Sequence, residues 1–193
     1  MEPYIQQELS NYDLAEETFV RFDLYIDLIK RWNDSFHLVS RNDLAIIERR
    51  HLLDSLRLLS RIDKEKCLID IGSGAGFPGL PLAIATNLRV LLVERNQKKA
   101  VFLEQVKLEL GLNLVEVSAQ DVVHVDDKDF ELATMRAVAK PVVAWRLAAP
   151  KLAIGGRLLL QTGQPMEQTF ANGKLESTEP AEIGWVSVVR KLR

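Results

Sequence analysis

Apolar positions in the first third of the chain recur at helical intervals. Phe19, Phe22, Leu24, Tyr25, Leu28, Ile29 and Trp32 fall on one stripe, which predicts an amphipathic helix packed against a neighbour. A loop is expected around Asn33-Asp34-Ser35-Phe36. Asn42-Asp43 then reads as the N-cap of a helix through Arg50, and His51 to Leu59 continues the helical pattern.

From Leu68 the pattern changes. Short apolar runs at 68–71, 90–94, 114–117, 131–135 and 156–161 predict strands. Helical stretches fall near 79–86, 97–110 and 141–152, with a final strand at 183–190. Such alternation implies a parallel sheet covered by helices on both faces. Gln164 to Pro180 is polar and holds Gly173 and two prolines, so a mobile loop or irregular connection is expected there. The expected organisation is a helical extension over 1–66, packed on a core over 67–193 as one structural unit.

The run from Cys67 to Pro81 carries the first chemical signal. Apolar residues end in Asp70, and Gly72, Gly74 and Gly76 crowd a turn before a helical pattern begins. A buried strand hands a nucleotide-like ligand to a helix N-terminus in this way. A dinucleotide fingerprint needs Gly-x-Gly-x-x-Gly, whereas here the third glycine comes one residue early. Gly-x-Gly-x-Gly is the form typical of S-adenosylmethionine-dependent methyltransferases; the alternative is a turn that merely packs tightly. The next apolar run ends in Glu94, about twenty residues past the glycines, where an acid accepts hydrogen bonds from ribose hydroxyls. The alternative for Glu94 is a solvated acid paired with Arg95 or Lys98.

Composition narrows the class. The 193 residues are 47% hydrophobic, enough for one substantial core, with a net charge of −2 that gives no global case for nucleic acid. Basic residues gather locally instead, at Arg41, Arg49, Arg50, Arg57 and Arg61, at Lys98-Lys99, at Lys140, Arg146 and Lys151, and at Arg190-Lys191-Leu192-Arg193. No apolar run approaches the roughly 20 residues of a membrane span, and Met1-Glu2-Pro3-Tyr4 lacks the basic and apolar regions of a signal peptide. A cytoplasmic protein with no membrane partner is expected. The single Cys67 and few histidines predict no metal site.

Five stretches in order carry a resemblance: Phe36 to Arg41, Arg50-His51-Leu52-Leu53-Asp54-Ser55, Ile69 to Ala83 with its Phe77-Pro78-Gly79-Leu80-Pro81 extension, Lys98 to Leu103, and Met135-Arg136-Ala137. Over roughly residues 15 to 165 the chain resembles the RsmG family, also called glucose-inhibited division protein B. The resemblance implies an α/β fold of the Rossmann-like class I methyltransferase type with an N-terminal helical extension. It implies S-adenosylmethionine as cofactor and methylation of N7 of a guanosine in 16S ribosomal RNA. The substrate is expected within the small ribosomal subunit or an assembly intermediate, and the enzyme is expected to be a monomer.

Residue by residue, the resemblance puts Gly72 and Phe77 at the cofactor's methionine and sugar and Ala119-Gln120 beside adenine; the glycine spacing and the strand-end acid add Gly74, Gly76 and Glu94 to the expected cofactor site. Arg136 stands at the entrance shared by cofactor and target base, as both catalytic and cofactor-binding residue. Arg50, His51 and Lys140 are expected on the RNA side. Two positions depart from the family: Gln120 where an acid is common, and Thr162-Gly163-Gln164 in place of Lys-Gly-Gln.

The chemistry agrees with this reading. Guanine N7 carries a free lone pair and needs no general base, so positioning and electrostatics suffice. There is neither a Pro-Cys nucleophile nor an Asn/Asp-Pro-Pro-Tyr/Phe motif. Arg136 closes the strand at 130–135, where its fork of donors suits a carboxylate, the guanine O6 edge or a phosphate. The alternative is an ion pair with Glu94, Asp121 or another acid. His51 and Asp54, about one helical turn apart, are expected to pair. Two other functions remain open, a small-molecule methyltransferase of the same fold and a non-catalytic member that binds cofactor or RNA.

Overall fold

The computed structural model describes residues 3–136, 140–181 and 183–193. Helix α1 (Pro3–Leu9) leads to α2 (Glu16–Phe36), whose inner face buries Phe22, Tyr25, Ile26, Leu28 and Ile29. The expected loop at 33–36 is helix. Asn33 is buried there, its side-chain oxygen accepts from Val39 N–H at 2.9 Å, and the helix ends only where His37 turns left-handed at φ 48°.

Ser40, not Asn42-Asp43, caps α3 (Arg41–Ala45), accepting from Asp43 N–H at 3.1 Å. The expected regular helix through Arg50 and on to Leu59 is also corrected. The chain winds as a π-helix over Glu48–Leu53, one α-turn (α4, Asp54–Leu56) and a 3₁₀ turn over Arg57–Arg61. Leu52, Leu53, Asp54, Ser55 and Leu56 are five consecutive buried residues, so packing on all sides sets the winding rather than a single apolar stripe.

Seven strands form one sheet: β1 (Cys67–Ile71), β2 (Arg89–Val93), β3 (Val115–Ser118), β4 (Phe130–Arg136), β5 (Leu152–Thr162), β6 (Gly173–Pro180) and β7 (Trp185–Lys191). Their order is β3-β2-β1-β4-β5-β7-β6, with the first five parallel and β7 antiparallel to both neighbours. Helices α5 (Gly79–Ala85), α6 (Gln97–Glu109) and α7 (Pro141–Ala148) connect the parallel strands. Helix α7 stops short of the expected residue 152 because Pro150 has no N–H to donate to the next turn, although Ala149 before it keeps helical dihedrals.

Alternate strand residues enter two apolar clusters. Leu68, Val90, Leu92 and Leu132 face α2 and the π-helical segment, while Ile69, Leu91, Val93, Ala133 and Met135 face Trp145 of α7. The N-terminal helices therefore share one continuous core with the sheet.

The loop expected over 164–180 is corrected in its second half, where β6 closes the sheet edge. Its side chains are half-buried or exposed throughout, so no apolar alternation marked it in the sequence. Strand order reverses between β1 and β4, and the crevice outside their carboxyl ends is where open α/β sheets take ligands. Among the described residues, no helix is long and apolar enough to cross a membrane.

Candidate functional site

The glycine turn is set from below by Asp70. Its carboxylate accepts from Thr134 Oγ1 at 2.7 Å and from Gly79 N–H at 3.3 Å, tying the end of β1 to β4 and to the start of α5. Burial pushes the Asp70 carboxyl up to about 6, against the opposing pull of these hydrogen bonds. Above it Gly72, Gly74 and Gly76 all take positive φ, at 74°, 59° and 103°. The Tyr25 hydroxyl of α2 donates to the Ala75 carbonyl at 2.7 Å, so the helical extension also holds the turn.

A cavity of about 520 Å³ opens over this turn. Gly72, Gly74, Phe77, Glu94, Gln120 and Arg136 of the expected site all line it, joined by His51. Gly76 lies beneath, where a Cβ would meet the Tyr25 hydroxyl at 2.8 Å, so its smallness serves packing. Ala119 is outside the lining, with its carbonyl accepting from Gln97 Nε2 at 2.8 Å.

Glu94 is buried at the end of β2, and neither Arg95 nor Lys98 is its partner. Oε2 accepts from Gly74 N–H at 2.9 Å and Oε1 from Asn96 N–H at 2.8 Å. Arg95 instead approaches Asp121 at 3.8 Å across the rim.

Arg136 ends β4 with a mostly buried guanidinium. One Nη donates to the Arg50 carbonyl at 2.7 Å and lies 3.6 Å from Asp54 Oδ2; the other, Nη1, makes no hydrogen bond. The acid beside it is thus Asp54 from the helical segment, not Glu94 or Asp121. The expected His51–Asp54 pair does not form. His51 faces Asp43 at 3.9 Å and stacks on Phe77, while Asp54 meets Arg136 and Gln161. Burial, reinforced by the Arg136 charge, lowers the His51 pKa to about 4, so this side chain is neutral at pH 7.

The RNA-side residues scatter. Arg50 pairs with Asp43 at 2.9 Å, and Lys140, exposed at the start of α7, lies outside the cavity lining. Ala137, the last residue of its motif, lies outside the described residues. Sequence reasoning missed Leu38 and Val39, which line the cavity, and also Val143 and Leu147 on its α7 side. It also missed Tyr25 and Gln161, whose partners are more than forty residues away in the chain.

The model for rRNA small subunit methyltransferase G (GidB) matches residues 19–182. Ribosomal RNA small subunit methyltransferase G of Chloroflexus aggregans is 40% identical over 88% of this chain and 78% of its own length. The protein of the same name from Halorhodospira halophila is 36% identical over 87% and 81%. Among solved structures, MtNAS in complex with MTA and tNA superposes with a TM-score of 0.64 at 18% identity, over 89% of this chain and 71% of that one. A variant of MtNAS in complex with S-adenosylmethionine gives 0.62 at 16% identity, over 98% and 84%. The structural likenesses show the fold alone, and the sequence matches decide the family: the chain belongs to the rRNA small subunit methyltransferase G (GidB) family.

Proposed function

We propose that this protein transfers a methyl group from S-adenosylmethionine to N7 of a guanosine in 16S ribosomal RNA. The observation that carries the reading is the cavity over the glycine turn, lined by a backbone-anchored carboxylate, Glu94, and by the mostly buried cation of Arg136.

The residues present fit such a cofactor. A Cβ built on Gly74 finds only the Gly72 carbonyl, at 3.9 Å, so bare backbone borders open space where a ligand approaches. Glu94 commits one lone pair of each oxygen to a backbone N–H, which leaves acceptor capacity for two ribose hydroxyls. Gln120 offers an amide on the adenine side, and Arg136 brings a guanidinium charge to the cavity wall for the methionine carboxylate or the guanine edge. When bound, the cofactor supplies an electrophilic methyl on a sulfonium sulfur.

The residues of this chain orient and exclude. Neutral His51, flat on Phe77, gives an uncharged wall, and Val143 and Leu147 an apolar one opposite. Guanine N7 already has its lone pair, so the N7–C bond forms as the C–S bond breaks and the electron pair stays on sulfur. No proton moves, which suits a site whose cation is a guanidinium that cannot serve as a base. The target base enters from loop or single-stranded RNA, because a stacked base is inaccessible. We read the enzyme as a cytoplasmic monomer acting on the small subunit or its assembly intermediate, with residues 1–66 as an extension of a methyltransferase core over 67–193.

The test is transfer of tritium from labelled S-adenosylmethionine into 30S subunits, with 7-methylguanosine mapped in 16S RNA from cells with and without the protein. Incorporation at one guanosine that disappears with the gene is expected. Turnover of a small substrate without subunits, or cofactor binding without transfer, overturns the reading.

A further inference from the structure

Arg136 and Gln161 are register partners at the carboxyl ends of β4 and β5, and a single carboxylate from the N-terminal region sits on both. Asp54 Oδ2 accepts from Gln161 Nε2 at 2.8 Å and lies 3.6 Å from Arg136 Nη2. Asp54 is 2% exposed and Gln161 6%, so neither bond has water to compete with. The same Gln161 amide reaches the Asp54 carbonyl at 3.4 Å, which holds the backbone of α4 as well as its side chain.

A carboxylate removed from water in this way carries a large desolvation cost unless fully engaged. A surface helix turn would not bury it, and the apolar residues on either side, Leu53 and Leu56, show that packing here had hydrophobic alternatives. What Asp54 accomplishes geometrically is to occupy one Nη of Arg136. The Arg50 carbonyl occupies that same nitrogen, at 2.7 Å. Nη1 is buried without a hydrogen bond of its own, and Arg136 lines the cavity, so the carbonyl and the carboxylate together fix this side chain at the cavity wall.

We infer that Asp54 is a positioning residue for methyl transfer: held by Gln161, it fixes the Arg136 guanidinium at the wall of the cavity that takes the ligand. The inference rests on the methyltransferase reading, with Arg136 as its ligand-facing cation. A carboxylate contributed by the helical segment thereby sets the orientation of a side chain contributed by the sheet. Lys in place of Arg136 would offer a point charge with no second face to hold.

The test uses the full chain in wild-type form and as Asp54→Asn, Gln161→Met, Arg136→Lys and the doubles with Arg136→Lys. Two measurements are made on each. The first is hydrogen exchange of the Arg136 guanidinium in protein labelled with ¹⁵N-arginine, the signal being assigned by its loss in Arg136→Lys. Asp54→Asn is expected to speed that exchange at least about tenfold. The second is kcat and KM on 30S subunits. Asp54→Asn is expected to lower kcat by roughly 10- to 100-fold, the scale of an ångström-size misplacement, with KM for the cofactor changed less than about threefold. On the Arg136→Lys background the same change is expected to cost less than about threefold more, because the residue it orients is gone.

Unchanged guanidinium exchange in Asp54→Asn, or the full loss repeated on the Arg136→Lys background, overturns the inference. If Asp54→Asn fails to fold, Gln161→Met, which leaves the Asp54 carboxylate in place and removes the amide donor to its Oδ2 and to its carbonyl, decides both measurements by the same criteria. If wild type transfers no methyl to subunits, the functional reading fails, while the exchange measurement still decides whether Asp54 holds Arg136.

Discussion

The imidazole of His51 lies flat against the ring of Phe77, with centroids 5.0 Å apart and planes 28° from parallel. The folded chain holds this histidine near pKa 4, below its ordinary 6.5, through burial and the charge of Arg136. As pH falls the unfolded chain takes the proton first, so the stabilising contribution is full above pH 6.5 and declines toward pH 4. His51→Phe keeps the stack and removes the decline. Its melting temperature relative to wild type is expected to be higher at pH 4.5 than at pH 7.5; a difference that does not change with pH contradicts this.

Asp70 works in the opposite sense. Its folded pKa of about 6 lies above the ordinary 3.8, so the folded state gains the proton first and ionisation opposes folding above pH 6. Asp70→Asn keeps an acceptor for Gly79 N–H, and its amide donates to Thr134 once that hydroxyl turns. The variant is expected to be more stable than wild type by about 1–2 kcal/mol at pH 8, and to lose the advantage by pH 4. Urea melts at the two pH values measure it.

Two glycines five residues apart respond differently to one methyl group. A Cβ on Gly79 would lie 2.5 Å from Leu92 Cδ2 and 2.7 Å from Asp70 Oδ2, so Gly79→Ala is expected to cost about 1–3 kcal/mol of stability. Gly74→Ala meets open space but holds φ at 59°, a strain of about 1 kcal/mol. Its methyl projects into the space where the proposed function puts the cofactor. Calorimetric titration is expected to show affinity for S-adenosylmethionine reduced at least about tenfold in Gly74→Ala.

Arg136→Ala is expected to abolish most methyl transfer, and the structure adds a stability penalty. It leaves Asp54 buried without its cation, a loss of about 3 kcal/mol. Adding Asp54→Asn is expected to recover part of that stability and none of the turnover. Recovery of both would remove Arg136 from the chemistry.

The strands that build the cavity floor were legible because their apolar runs end in acids, as in Leu68 to Asp70 and Val90 to Glu94. Both faces of those strands are buried, and the composition says so directly. Strand β6 was not legible, since its side chains are half-buried or exposed and show no apolar alternation. Helical spacing located the segment around His51 but not its winding, which five successive buried residues impose. The identities of Asp54 and Arg136 were plain in the chain. Their contact spans 82 positions, and only the sheet order that brings the end of β4 beneath α4 creates it.

That separation has a consequence for how the protein is made. At roughly 5–20 residues per second, Asp54 leaves the peptidyl transferase centre about 4–16 seconds before Arg136 exists. Throughout that interval its carboxylate lacks two of the groups that meet it in the folded chain, the Arg136 guanidinium and the Gln161 amide, which only β4 and β5 supply. One wall of the cavity is therefore synthesised first and seated last, so a nascent chain acquires its ligand-binding form late, after the strand that bears Gln161 has joined the sheet.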